Sequence, residues 1–411
     1  MLNAKITYLN NGLTVVTDYL PYVNSATLGI WAKIGSRIEN KANNGICHFL
    51  EHMVFKGTKK RTSFEISENI ESRGGYMNAW TSKEKTAWYA KVLKDDINLA
   101  LDILFDILKN STFPPEELAK EKGVIIEEIK MYLDSPQDLA YNLYEKLCYN
   151  DNPLAYPIIG NEENINRFTS QDFINHTKKY YQPSKMVLVI SGNFNEEEFF
   201  AELHKQNADW IDKPLNIHLQ VPIFSSKHEI IIKKDIEQTA LIYGLNGYSY
   251  KDEDYFKASV ANTILGVGMS SRLFVEIREK RGLAYSVDSF LNSYEDCGTF
   301  AVQVGCNKDN VKLVIGLIKE EIAQTSNTLL DEEIEKAKNQ LKSGILMSLE
   351  STSSRCERLA ANILNFNEIR DLNKLISKIN AVSKNDVIDV FNRLLSSKET
   401  IALVSNSDLA L

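Results

Sequence analysis

The sequence predicts an α+β protein made of two homologous domains, each a mainly antiparallel sheet packed with helices. Three observations support this prediction. The chain has 411 residues, a length that suits two domains of about 200 residues. The same order of strands and helices occurs twice along the chain. Short polar turns join several strands, which favours antiparallel neighbours over a doubly wound parallel sheet.

The repeat consists of a strand, a turn, an amphipathic helix, an acidic helix and a final β-rich run. In the first half the strand, turn, start of the acidic helix and final run are residues 89–93, 94–97, 114–118 and 186–192. In the second half they are residues 300–304, 308–311, 330–334 and 400–405. The period of about 210 residues is far too long for a solenoid and indicates a duplicated domain.

The repeat also places the domain boundaries. We expect an N-terminal domain at residues 1–206, a linker at 207–226 and a C-terminal domain at 227–411. The linker contains Pro214 and Pro222 and has no helical periodicity. Residues 1–8 alternate apolar and polar positions before an Asn-Asn-Gly turn, which predicts a strand rather than a signal peptide.

Composition excludes several classes of function. The formal net charge is −8, whereas a nucleic-acid-binding protein needs a positive surface for the phosphates. No run approaches 18 apolar residues, so the sequence predicts no membrane span. The five cysteines are scattered and form no Cys-x-x-Cys pair, which indicates free thiols in a reducing compartment. We therefore expect a cytoplasmic protein.

The sequence HFLEH at residues 48–52 is the strongest chemical signal. We expect a helix that Asn43 or Asn44 caps and that ends near Gly57. His48 and His52 are four residues apart, so both imidazoles project from one face and can reach one metal ion. Glu51 shares this face but cannot easily be a third ligand from the same turn, whereas it can reach a metal-bound water.

A catalytic zinc site normally takes three protein ligands and a water, so a third ligand must come from elsewhere. The acidic helix offers Glu121, Glu127 and Glu128. Glu121 and Glu128 are two turns apart and share a face, while Glu127 points elsewhere.

The repeat favours Glu121 and Glu128 as site residues. Alignment of the acidic helices places Ala337 opposite Glu121 and Gly344 opposite Glu128, and the region matching the histidine helix, near residues 257–263, has no histidine. If the halves are duplicates, the acids that only the first half has are those that serve the site.

Two alternatives remain open from the residues alone. A structural zinc site is possible, although such sites usually have four Cys or His ligands. Glu121 and Glu128 could also belong to an ordinary solvated helix face.

Five stretches resemble the pitrilysin/insulinase family of inverted-motif zinc peptidases, in the small branch that includes mitochondrial processing peptidase. They are GICHFLEHMVFKGT at residues 45–58, NAWT at 78–81, VIIEE at 124–128, SRLF at 271–274 and REKRGLAY at 278–285. The resemblance covers nearly the whole chain. The separation of 76 positions between His52 and Glu128 fits the family's third ligand.

The resemblance implies a processing-peptidase or LuxS-like metallohydrolase fold and one zinc ion per chain. It implies that His48, His52 and Glu128 bind the zinc and that Glu51 is the general base. Glu121 is similar to the family's second acid, which supports the site from behind the ligands.

Four further residues resemble substrate-binding groups of the family. Arg278 and Tyr285, in the C-terminal domain that lacks the zinc motif, resemble a pair that binds the substrate backbone and stabilises the tetrahedral oxyanion. Asn78 and Ala79 resemble the edge strand to which a peptide adds. Without the resemblance, all four would be ordinary residues of a charged helix or of strands.

In this family two double-domain halves close a chamber around the active site, and this chain supplies one half. The resemblance therefore implies a second subunit, for which a homodimer would suffice, and a peptide substrate, possibly basic. The main hypothesis is a zinc-dependent endopeptidase. The alternatives are a non-catalytic structural or partner subunit of a processing-peptidase-like complex and a zinc hydrolase of a non-peptide amide.

Overall fold

The computed structural model describes residues 4–213 and 215–409. The first three residues of the predicted first strand and Pro214 of the predicted linker lie outside the described residues.

Strands and helices alternate along both halves of the described chain. The strands are β1 (Ala4–Tyr8), β2 (Thr14–Tyr19), β3 (Ser25–Ala32), β4 (Tyr76–Thr81), β5 (Thr86–Leu93), β6 (Met186–Gly192), β7 (His228–Ile232), β8 (Thr239–Asn246), β9 (Ala284–Ser293), β10 (Gly298–Cys306) and β11 (Thr400–Ser405). The helices are α1 (Ile46–Met53), α2 (Ser63–Glu71), α3 (Ile97–Lys109), α4 (Pro115–Asp134), α5 (Pro136–Tyr149), α6 (Glu162–Arg167), α7 (Ser170–Tyr180), α8 (Glu196–Asn207), α9 (Tyr255–Gly266), α10 (Val311–Thr328), α11 (Asp331–Ser348), α12 (Thr352–Phe366), α13 (Leu372–Ala381) and α14 (Lys384–Ser396).

The two sheets have the same design. The first has the strand order β1-β2-β6-β3-β5-β4 and the second the order β7-β11-β8-β10-β9. In each sheet one pair is parallel, β2 with β6 and β7 with β11, and the other described pairs are antiparallel. From β2 to β4 and from β7 to β9, the order and directions correspond strand by strand. The predicted α+β class with mainly antiparallel sheets and two homologous domains is confirmed.

Several predicted elements are found where the repeat placed them. The two β-rich runs are β6 and β11, with the predicted bounds. The acidic helices begin at Pro115 and Asp331. The described residues between α8 and β7 form neither helix nor strand, as expected of the predicted linker region.

The described chain divides into two compact units that differ from the contiguous stretches 1–206 and 227–411. The first unit is Met1–Ile129, Pro157–Leu219 and Met347–Leu372, and the second is Lys130–Tyr156, Gln220–Leu346 and Asn373–Leu411. Each unit thus contains a helix from the other half of the sequence. α12 belongs to the first unit and α5 to the second, and these two helices follow the equivalent helices α11 and α4.

The apolar faces of α5 and α12 explain why each helix packs in the unit formed mainly by the other half of the sequence. In the first unit, Cys356, Leu359 and Ile363 of α12 pack with Val187 and Val189 of β6 in one buried cluster. In the second unit, α5 makes the same kind of cluster with β8 and β11. Each helix therefore removes apolar surface of a sheet from water, which stabilises both partners.

The opposite face of the first sheet supports the helix that carries the histidines. Buried side chains of α1, α2, α3, α7 and α8 pack together with this face, among them Phe49, Ile66, Leu101, Phe173 and Phe199. In the part of the chain that the structure describes, no helix is both long and apolar enough to cross a membrane.

Candidate metal centre

The N-terminus of α1 is capped by a glutamate, and the predicted caps Asn43 and Asn44 do not fill this role. Glu39 accepts hydrogen bonds from the backbone N–H groups of Gly45 and Cys47, both at 2.8 Å, and from the Asn44 side-chain amide at 2.9 Å. A buried carboxylate satisfies free N–H groups and complements the helix dipole. Glu39 lies six residues before Gly45, outside the local pattern used to predict caps.

Two glycine backbones cross at the start of α1. Gly45 has φ +99° and Gly160 has φ +84°, a region that favours glycine. A Cβ on Gly160 would lie 2.7 Å from both the Asn44 carbonyl oxygen and the Gly45 Cα. Glycine at these positions therefore allows the two backbones to approach closely at the start of α1.

α1 presents two different faces. Ile46, Phe49 and Met53 are buried in the core, while His48, Glu51 and His52 are half-buried on the other side. The helix proper ends at Met53, before the predicted end near Gly57, and a turn follows.

The Cys47 side chain packs in the protein core, as predicted. Its thiol is fully buried and lies 3.4 Å from the Gly35 carbonyl oxygen and 3.5 Å from His176 Nε2. Burial raises the pKa of this thiol well above its usual value. The thiol is therefore protonated at neutral pH and is a poor nucleophile.

The structure brings His48, His52 and Glu128 together. Glu128 Oε1 lies 3.9 Å from His48 Nε2, and Glu128 Oε2 lies 3.8 Å from His52 Nε2. Among the described residues, this is the group of His, Cys, Asp and Glu side chains whose ligand atoms lie within 4.8 Å of one another. Glu127 is exposed and lies outside the group.

The spacing of these atoms fits a metal ion. Two ligand atoms at about 2.1 Å from a shared ion are at most about 4.2 Å apart, and the separations of 3.8 and 3.9 Å lie below that limit. Burial, together with the charge of His52, lowers the pKa of His48 to about 3. His48 is therefore neutral at pH 7, as a ligand must be.

The Glu121 carboxylate contacts the His52 imidazole on the side opposite to Glu128. His52 Nδ1 lies 2.9 Å from Glu121 Oε1 and donates to it in the tautomer that leaves Nε2 free for a metal. Burial opposes protonation of His52, but the hydrogen bond and charge of Glu121, together with the charges of Glu51 and Glu128, outweigh it and raise the pKa of His52. Lys56 Nζ lies 2.7 Å from Glu121 Oε2, a contact that the sequence analysis missed.

Glu51 faces the same site without being part of the ligand group. Its Oε2 atom is buried and has no hydrogen-bond partner among the described residues. Burial raises the pKa of Glu51, and the Thr81 hydroxyl and the charge of His52 partly counter this effect. A carboxylate with a raised pKa and a free oxygen can accept a proton at neutral pH.

The strand that carries Asn78 and Ala79 lies beside Glu51. This strand, β4, is the edge of the first sheet and pairs with β5. Thr81, its last residue, lies near Glu51, and the Thr81 hydroxyl has no hydrogen-bond partner among the described residues. Asn78 is exposed, and its Oδ1 accepts the Ala79 backbone N–H at 2.8 Å.

Arg278 and Tyr285 lie side by side in the second unit. The Arg278 guanidinium is 5.4 Å from the Tyr285 ring centre and 4.9 Å from that of Phe274. Arg278 lies in a π-helical turn, Phe274–Glu279, a conformation that is frequent at functional sites. The Tyr285 side chain is 72% exposed, so its hydroxyl is available to a ligand.

No group of this kind is found among the described residues of the second unit. Ala337 and Gly344 of α11 occupy the positions that match Glu121 and Glu128, and α9 contains no histidine. The fold and these donor atoms define the class: a duplicated α+β protein in which, among the described residues, the candidate metal centre lies in the first domain.

Comparisons with known proteins agree with this division. The profile of the family described as "Insulinase (Peptidase family M16)" matches residues 14–162, and that described as "Peptidase M16 inactive domain" matches residues 167–341. Proteins named as uncharacterized zinc proteases are similar throughout. One from Rickettsia bellii is 38% identical and covers 99% of both chains. One from Bacillus subtilis is 38% identical and covers 97% of both.

Solved structures show the same fold. A protease from Helicobacter pylori matches with a TM-score of 0.90 at 22% identity, covering 98% of this chain and 99% of that one. A Pseudomonas fluorescens structure described as a peptidase M16 inactive domain matches with a TM-score of 0.91 at 20% identity, covering 100% and 99%. The chain belongs to the pitrilysin/insulinase family, peptidase family M16.

Proposed function

We propose that this chain is a zinc-dependent endopeptidase that hydrolyses extended peptides. The observation that carries the proposal is the group formed by His48, His52 and Glu128. Glu51 lies next to this group but does not belong to it. Two imidazoles and one carboxylate are a ligand set of catalytic zinc sites, which keep one position open. The family and the names of the relatives support the same activity.

Each residue of the site would have a separate role in hydrolysis. Zinc held by these residues would supply Lewis acidity and would lower the pKa of a water to about 7. Glu51 takes a proton from the attacking water and returns it to the leaving amine, a contribution typically of about 10²–10⁴ in rate. Glu121 holds His52 in the tautomer that the metal requires.

The edge strand β4 is the proposed place for the substrate backbone. A peptide that adds as a further strand would pair with the free side of β4, where Asn78 and Ala79 lie. Thr81, the last residue of β4, lies near Glu51, so a bond held along β4 would be near the proposed base. Because strand addition uses main-chain hydrogen bonds, it favours extended or unfolded substrates over folded ones.

We further propose that basic peptides are preferred. The net charge of −8 and the resemblance to peptidases that cut basic targeting peptides support this preference. Cleavage of a mixed peptide library, followed by mass spectrometry, tests it. Equal cleavage of acidic and basic peptides would contradict the preference without affecting the proposed chemistry.

The chain is also proposed to act as a homodimer in which Arg278 and Tyr285 serve the zinc site of the other subunit. The motivation is that fused family members place this pair in their second half. Guanidinium and phenol groups are suitable donors to a developing oxyanion. Mixing Glu51→Gln subunits with Tyr285→Phe subunits should restore activity above that of either parent, and no recovery would contradict action in trans.

A non-catalytic partner subunit is the competing function. The family profile described as an inactive domain supports that role only for residues 167–341, which exclude the ligand group. Adjacent acids allow a direct test. Glu128→Gln should abolish zinc retention and peptide cleavage, and Glu127→Gln should change neither. Wild-type protein that binds zinc but cleaves no peptide would favour the partner role.

A further inference from the structure

Lys56 joins the two helices that carry the candidate ligands. It lies in the turn after α1, four residues beyond His52, and its Nζ atom is 2.7 Å from Glu121 Oε2 on α4. The other oxygen of the same carboxylate is 2.9 Å from His52 Nδ1. The Glu121 carboxylate therefore contacts the Lys56 ammonium with one oxygen and the candidate ligand His52 with the other.

The backbone around Lys56 is held in place on both sides. Its N–H donates to the Met53 carbonyl at 3.1 Å, and the Gly57 carbonyl accepts the Thr112 N–H at 3.2 Å. Thr58 then forms an antiparallel bridge with Ser111, shortly before α4 begins. These backbone contacts limit the positions that the Lys56 ammonium can reach. They therefore favour its contact with Glu121 over other arrangements of the side chain.

Burial strengthens the contact. The Glu121 side chain is only 7% exposed and that of Lys56 is 28% exposed, so water screens this pair less than it screens surface pairs. Glu51, Glu121 and Glu128 bring three carboxylates to one site. Burial raises the pKa of Glu128, and the charge of Glu121 adds to this effect. Lys56 offsets that accumulation of negative charge.

We propose that Lys56 is a positioning residue that fixes the Glu121 carboxylate so that His52 keeps Nε2 directed at the metal. This inference rests on the proposed zinc site. Groups that orient metal ligands typically contribute about 10–100-fold to metal affinity or activity. Lys56 would act one step further away, through Glu121, and would not touch the substrate or the metal.

Zinc affinity of the purified full-length chain, measured by chelator competition, tests the proposal. Lys56→Met should weaken zinc binding by about 10-fold, and Lys56→Gln should act in the same direction. Lys56→Arg, which keeps the charge and the donor, should bind nearly as tightly as wild type. The matched control is Lys59→Met, an exposed lysine of the same loop, and it should leave the affinity unchanged.

A double-mutant cycle with Glu121→Gln separates positioning from a general effect of charge. If Lys56 acts through Glu121, Lys56→Met should change affinity by less than about 2-fold in the Glu121→Gln background. The inference would be overturned if Lys56→Met lowered zinc affinity by the same factor with and without Glu121→Gln. It would also be overturned if Lys56→Met alone left the affinity unchanged. Wild-type protein that binds no zinc would instead refute the proposed function.

Discussion

A buried ion pair within the first unit gives the most quantitative prediction. Asp18 on β2 is fully buried, and Arg355 on α12 donates to its two oxygens at 2.6 and 2.9 Å. Ser191 also donates to Asp18, at 2.7 Å. These contacts attach a helix from the second half of the sequence to a sheet from the first half.

The size of the effect follows from burial. Asp18→Asn keeps the shape of the side chain but leaves the guanidinium of Arg355 without its anion. Removal of one partner of a buried pair typically costs about 3–5 kcal/mol, because the other charge remains desolvated. Replacement of both by apolar groups, as in Asp18→Leu with Arg355→Met, should cost much less than the sum of the single changes.

Denaturant unfolding followed by tryptophan fluorescence measures this effect. The four tryptophans of the chain all belong to the first unit, so the signal reports that unit. The positions are Trp31, Trp80, Trp88 and Trp210. Measurements on metal-free protein keep zinc binding from adding to the stability.

The exposed pair of Lys5 and Glu196 is the matched control. Its side chains are 68% and 50% exposed, so Glu196→Gln should change stability by less than about 1 kcal/mol. A loss of similarly small size for Asp18→Asn would refute the idea that the buried pair attaches α12 to the first sheet.

Two further predictions concern stability. Burial lowers the pKa of His176 to about 3, so the unfolded chain binds this proton more readily. The associated stability is complete above about pH 6.5 and falls towards pH 3, by about 2 kcal/mol between pH 7 and pH 5. His176→Gln should flatten that slope in metal-free urea unfolding, the exposed-residue control His218→Gln should not, and equal slopes would exclude His176 as the cause. Gly160→Ala should cost more than Gly74→Ala in the same assay, because only the first added methyl group meets backbone atoms, at 2.7 Å, while both glycines have positive φ. Equal losses would show that the crossing with Gly45 tolerates a methyl group.

The sequence predicted the features that depend on local order and residue chemistry. The bounds of β6 and β11 followed from uninterrupted β-branched and apolar runs between turn signals. Helical spacing predicted that His48 and His52 share one face, and the acids missing in the second half favoured Glu121 and Glu128 as site residues. The choice of Glu128 as the third ligand came from the resemblance to the family.

Contacts between distant segments could not be predicted in this way. The side chain of Glu39 caps α1, and the residues next to Glu39 in the sequence give no indication of this contact. α5 and α12 have ordinary amphipathic patterns, which do not specify which of two similar sheets each will cover. One feature of the sequence could have indicated the contact between Lys56 and Glu121: Lys56 lies only four residues after His52, in the turn that follows the same helix.

Glu51→Gln tests the central claim most directly. The carboxamide keeps the size of the side chain and lies outside the ligand group, so the variant should retain one zinc ion per chain. It should cleave an unstructured peptide about 10²–10⁴-fold more slowly than wild type, since it cannot accept the proton. Cleavage at the wild-type rate with zinc bound would contradict the proposed mechanism.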